Sequence, residues 1–154
     1  MSGKSRIYCS RILQHSFGEE TMAHTIKVKI YYDDTDAGGV VYYANYLRYM
    51  ERARTEFLSE YGINVAEHHH RGYFFVVTHV DISYKRPARL GETIDITTEV
   101  EEVRQASMTI RNCIVKDGSL LVEALVTFAC IDAEGRPKRL PASFSLFRAM
   151  SKKC

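Results

Sequence analysis

Three aspartates fall within Asp33-Asp34-Thr35-Asp36, and Gly38 and Gly39 follow almost at once. A carboxylate can attack an electrophilic carbonyl or take a proton from water, and glycine lets the main chain approach a ligand closely. The stretch from Tyr31 to Tyr46 runs directly into a helical pattern. Its carboxylates therefore stand near a helix amino terminus, where unpaired N–H groups point outward. A carboxylate beside donors that can hold an oxyanion is the minimum set for acyl transfer. The alternative is an acidic turn whose aspartates only cap the helix, and the residues by themselves leave both readings open.

Other residue types capable of chemistry read more plainly. His68-His69-His70 looks like a metal tract, but successive helical residues point about 100° apart and do not converge on one ion; a short solvated helix with no metal is expected. His79 sits in an alternating stretch and reads as a sheet residue. Cys9, Cys113, Cys130 and Cys154 are scattered without a CxxC pair, so reduced thiols are expected, with Cys113 and Cys130 acting as small hydrophobes. Arg54 interrupts an apolar helical arc, and Glu51 three residues earlier is at the spacing for a structural ion pair. Lys85, Arg86 and Arg89 cluster around Pro87 and could meet phosphates. No Ser-His-Asp set and no nucleotide-binding glycine loop are apparent.

The elements that must position these residues follow from periodicity. Thr25 to Tyr32 alternates Ile26, Val28 and Ile30 with Lys27 and Lys29, a half-buried strand. From Tyr46 to Tyr61 the pattern turns helical, with Tyr46, Leu47, Tyr49, Met50, Ala53, Phe57, Leu58 and Tyr61 on an arc of about 180°, and Gly62 stops it. Four further strands are expected over Phe74–Tyr84, Thr93–Val103, Ser107–Val115 and Leu121–Ile131, the last two joined by a hairpin turn at Lys116-Asp117-Gly118. One strand, one long helix and four more strands give an α+β domain, an antiparallel sheet of about five strands curled around a central helix.

The chain has 154 residues, room for one domain. Its 21 basic and 19 acidic residues leave a net charge of +2, which argues against a dedicated nucleic-acid binder. No apolar run is long enough to span a membrane, and no signal-peptide core is visible at the amino end, so a cytoplasmic location is expected. Residues 1–22 lack a sustained period and are expected to form an extension outside the core, contributing little to catalysis; residues 23–150 form the domain.

The string Asp34-Thr35-Asp36-Ala37-Gly38-Gly39-Val40-Val41-Tyr42, followed by Tyr46 and by Glu51-Arg52-Ala53-Arg54, closely resembles the 4-hydroxybenzoyl-CoA thioesterase family, and within it the tol–pal-associated acyl-CoA thioesterase (YbgC) group. The similarity runs from about His24 to Leu146 and includes Tyr84-Lys85-Arg86-Pro87-Ala88-Arg89-Leu90. The resemblance implies the hotdog fold and acyl-CoA thioester hydrolysis. It implies Asp36 as the catalytic carboxylate, as nucleophile or general base, and the backbone N–H of Tyr43 as oxyanion donor. The tol–pal group usually has histidine where this chain has Tyr43, a change that a backbone donor tolerates. Tyr42, Asn45 and Tyr46 would shape the acyl pocket, and Lys85, Arg86 and Arg89 would meet coenzyme A, which belongs to the substrate; no other cofactor is implied. A homo-oligomer, built as a dimer of dimers, and an acyl carrier protein are the partners expected. A hotdog dehydratase and a non-catalytic acyl-thioester binding protein are the rival readings, and the aspartate string favours neither.

Overall fold

Period-two alternation produces five strands in the computed structural model, which describes residues 23–151 together with Cys9. They are β1 (His24–Lys29), β2 (Phe74–Tyr84), β3 (Thr93–Val103), β4 (Ser107–Lys116) and β5 (Ser119–Ile131). All pair antiparallel in one sheet of order β1-β3-β4-β5-β2. The long helix is α1 (Asn45–Glu60); α2 (Val65–His70) and α3 (Ser145–Arg148) are short. Asp117 and Gly118 both take positive φ, 48° and 77°, as the expected β4–β5 hairpin requires.

Register divides the sheet into two faces. Ile96, Ile114 and Val122 stand in one row across β3, β4 and β5, and Val100, Ile110 and Val126 in another. These rows share one buried cluster with Tyr49, Met50, Ala53, Phe57 and Leu58 of α1. A sheet with one apolar face and a helix with one apolar stripe bury each other, which is the hotdog arrangement. Phe147 stacks on Phe57 with ring centroids 5.4 Å apart and closes one end of the core. Each side chain of this size contributes about 1.5–3 kcal/mol on full burial.

Some expectations need correction. β1 stops at Lys29 rather than Tyr32, because Tyr32–Asp34 winds into a 3₁₀ turn. Leu47, at the rim of the helical arc, is exposed. The Glu51–Arg54 ion pair does not form: the Thr55 hydroxyl donates to Glu51 at 2.9 Å, and Arg54 lies 5.6 Å from the centre of the Phe128 ring. Burial lowers the Arg54 pKa, and Glu51 offsets part of that at longer range.

The thiol expectation is also overturned for one pair. Cys9 is buried and disulfide-bonded to Cys113, their Cα atoms 6.1 Å apart, within the usual span of about 4.4–6.8 Å. Cys113 stands on the sheet face opposite α1, in the same face as Arg111, whose guanidinium donates to Glu123 at 2.9 Å and Glu101 at 3.4 Å. Cys130 is a free, buried thiol. Cys154 and, Cys9 aside, the expectation for residues 1–22 fall outside the described residues.

Candidate active site

The chain between β1 and α1 is a series of short closures. Asp34 ends the 3₁₀ turn with its carboxylate accepting the Tyr31 N–H at 2.8 Å. Thr35 then pairs with Val41, and Val40 pairs with Arg89, so the segment is held as a small two-stranded loop against the chain after β2. At its tip the Asp36 N–H donates to the Val40 carbonyl at 2.9 Å and the Gly39 N–H to the Asp36 carbonyl at 3.0 Å. Gly39 sits at φ +76°, a conformation that L side chains rarely adopt.

Asp36 is exposed at this tip. One carboxylate oxygen, Oδ1, accepts the Gly38 N–H at 2.8 Å, and the other has no partner among the described residues. The carboxylate is thus oriented by its own turn while one oxygen stays open to a ligand. None of the three aspartates caps α1. Its N-cap is Ala44, which makes no side-chain cap, so the capping alternative fails.

The approach to α1 is anchored instead through main-chain oxygens. The Asp34 carbonyl accepts the Tyr42 N–H at 3.0 Å and the Asn45 side-chain amide at 2.8 Å. The Tyr42 carbonyl accepts the Asn45 N–H at 2.8 Å, and the Tyr43 carbonyl accepts the Tyr84 hydroxyl at 3.1 Å. The Tyr43 N–H has no acceptor among the described residues. It stands immediately before a helix of 16 residues, whose amino end carries partial positive charge.

Tyrosines surround this point. Tyr46 is 3% exposed, and its hydroxyl accepts the Ala88 N–H at 3.0 Å, so it is a pillar between α1 and the chain after β2. Tyr84 packs on it with ring centroids 5.7 Å apart and meets Tyr43 edge-on at 6.3 Å. Tyr42 and Tyr43 lie outermost, 4.8 Å apart. Burial pushes the hydroxyl pKa of Tyr46 and Tyr84 above the usual value, and the neighbouring Tyr43 hydroxyl does so for Tyr42. Tyr49, one helical turn below, is buried close to the Asp34 carboxylate without a hydrogen bond of ordinary geometry; burial first and that carboxylate second raise its pKa strongly.

The structure brings Asp36, Tyr42, Tyr43, Asn45, Tyr46 and Arg89 onto one continuous patch of backbone. Asn45 uses its amide to tie the loop to the helix rather than leaving it free. Arg89 is exposed beside Val40. Lys85 and Arg86 are tied to β5: both backbone N–H groups donate to the Leu121 carbonyl, and the Arg86 guanidinium reaches Ser119 at 3.4 Å. Two participants went unnoticed in the sequence, Tyr49 and Tyr84. Tyr84 opens the Tyr-Lys-Arg-Pro string, so the signal was present, but its partner lies 41 positions away. His68 is fixed in α2, its ring bonded to the Asn64 carbonyl at 2.8 Å and Ser143 at 3.3 Å, and among the described residues no His, Cys, Asp or Glu group is arranged to hold a metal.

Residues 31–147 match the model of the thioesterase-like superfamily. The chain is 40% identical over 118 residues to the acyl-CoA thioester hydrolase YbgC of Escherichia coli O6:H1, covering 75% of this chain and 88% of that protein. It is 37% identical over 125 residues to the acyl-CoA thioesterase YbgC of Haemophilus influenzae, covering 76% and 90%. Among solved structures, a probable thioesterase from Bartonella henselae superposes with a TM-score of 0.73 at 38% identity, covering 77% of this chain and 99% of that one.

Proposed function

The chain belongs to the thioesterase-like superfamily, and from that premise we propose that it hydrolyses acyl-CoA thioesters with Asp36 as the acting carboxylate and the Tyr43 N–H as oxyanion donor. The observation that carries the assignment is a main-chain donor without an acceptor among the described residues, at the head of the long helix, on the same tied segment as an aspartate with one open oxygen. Such a donor requires no reorganisation when the carbonyl oxygen gains charge, which is when it stabilises most.

Two routes use the same atoms. In one, Asp36 attacks the thioester carbon, the C–S bond breaks, and water then hydrolyses the mixed anhydride. In the other, Asp36 takes a proton from water as that water attacks, and the proton passes to the departing thiolate. Both end in a free acid and coenzyme A. Tyr42, Tyr43, Tyr46 and Asn45 would border the acyl group, with Arg89, paired with Val40 of the same loop, and Lys85 and Arg86 meeting the coenzyme A phosphates. A carrier-protein thioester would be handled by the same atoms.

The sheet edge supports an oligomer. Among the described residues β2 pairs only with β5, so the backbone of this 11-residue strand is open to them along its other side, and Val76 and Val77 there are 38% and 47% exposed. Long apolar edges are covered in working proteins. Joining two copies through β2 would cover it, and two such dimers would form a tetramer.

The test of the mechanism is Asp36→Asn, assayed by thiol release from a panel of acyl-CoA esters. A loss of at least ~10² in kcat with little change in KM is expected. Turnover near wild type would remove Asp36 from the chemistry.

A further inference from the structure

We infer that Tyr84 is a positioning residue for hydrolysis, its hydroxyl holding the oxyanion-donor turn in place from the end of β2. The inference rests on the Tyr43 reading above and adds a residue to it. Two peptide planes meet at the Tyr43 α-carbon: the one before it carries the Tyr43 N–H, and the one after it carries the Tyr43 carbonyl and fixes that α-carbon from the other side. The plane before it is pinned locally, its Tyr42 carbonyl accepting the Asn45 N–H at 2.8 Å. The plane after it is pinned only from a distance, its Tyr43 carbonyl accepting the Tyr84 hydroxyl at 3.1 Å across 41 residues.

Nothing else among the described residues grips that second carbonyl. Tyr43 itself is 61% exposed, so its side chain provides little burial to hold the turn. Tyr84, by contrast, is rooted. Its backbone lies in the β2–β5 ladder opposite Val122, and its ring rests on the buried Tyr46 ring. The hydroxyl is thus carried on a rigid element, and like any tyrosine hydroxyl it is protonated, hence a donor, at neutral pH. A donor misaimed by a fraction of an ångström still lets substrate bind but holds the developing oxyanion less well, so the loss falls on kcat rather than KM.

Tyr84→Phe keeps the ring and deletes only the bond. The expected result is kcat lowered about 5- to 10-fold, KM within about twofold, and a melting temperature within about 2 °C of wild type. Tyr84→Leu, which also removes the ring contact with Tyr46, should lower kcat further and cost melting temperature. Unchanged kcat in Tyr84→Phe would overturn the inference, as would a rise in KM alone, which would make Tyr84 a substrate contact. A kcat loss that only tracks a falling melting temperature would overturn it too. Asp36→Asn run alongside separates the two levels: if it remains active, the active-site reading fails, whereas if it is inactive and Tyr84→Phe is not impaired, only the role of Tyr84 fails.

Discussion

Replacing Gly38 by alanine should slow catalysis without unfolding the protein, and replacing its neighbour Gly39 should do the reverse. A Cβ on Gly38 would stand 3.2 Å from Asp36 Oδ1, short of the 3.4 Å at which ordinary contact begins. The same oxygen accepts the Gly38 N–H at 2.8 Å, so it cannot retreat without stretching that bond. The carboxylate must shift by a few tenths of an ångström. If a 1 Å misplacement costs ~10² in rate, a shift of that size costs about 3-fold, and about 10-fold if the carboxylate rotates and swings its open oxygen further. Gly38 is not at positive φ, so the melting temperature should stay within about 2 °C of wild type. At Gly39 the geometry is opposite: φ is +76° and nothing lies within 4 Å of the added Cβ. Alanine there costs about 1–2 kcal/mol of backbone energy, or about 2–8 °C in a chain of this size. Thiol release measured well below both melting transitions, with differential scanning fluorimetry beside it, reads both quantities. If Gly38→Ala keeps full kcat, or if both variants lose kcat equally, the placement of the Asp36 carboxylate does not govern the rate and the reasoning is wrong.

Base should weaken the fold through Tyr49, whose folded pKa is raised by burial and by Asp34. Unfolded tyrosine ionises near pH ~10 while the folded one keeps its proton, so stability is complete below that value and falls as pH rises beyond it. Melting temperatures at pH 9 and 11 should therefore diverge less in Tyr49→Phe than in wild type; equal slopes would show that Tyr49 is not the group responsible. Light scattering at micromolar concentration should give the mass of a tetramer, and Val77→Lys on the open β2 edge should lower it. A monomer in the wild type would refute the edge argument.

Local pattern and long-range contact differ sharply in how far the residues revealed them. The spans Phe74–Tyr84 and Thr93–Val103 were legible to the residue, but the bulges that interrupt their alternation, between Val77 and His79 and between Val100 and Glu102, were not. The helix was legible to within one residue at its start, Asn45 standing where Tyr46 was expected. The end of β1 was not, because Ile30 continues the alternation that the Asp34–Tyr31 bond then breaks. Glu51 and Arg54 had the right spacing for a pair, but spacing says nothing of Thr55 and Phe128 as competitors. The aspartate string pointed to the candidate site, yet left open whether its carboxylates cap the helix; the uncapped Ala44 removed that alternative. Contacts between distant positions, Cys9 with Cys113 and Tyr43 with Tyr84, carry no periodic signature.

The Asp34 carbonyl, rather than its carboxylate, receives Tyr42 and Asn45. No side-chain replacement at position 34 deletes that acceptor. A mutational scan would therefore register the side-chain tie only from the Asn45 end, and would score Asp34 by what its carboxylate does at Tyr31 and Tyr49. The proposed donor at Tyr43 is hidden in the same way, since every residue but proline supplies a backbone N–H. What natural variation can erode at this site is the path of the chain and the carboxylate at its tip. Chains differing in most of the surrounding side chains could preserve both.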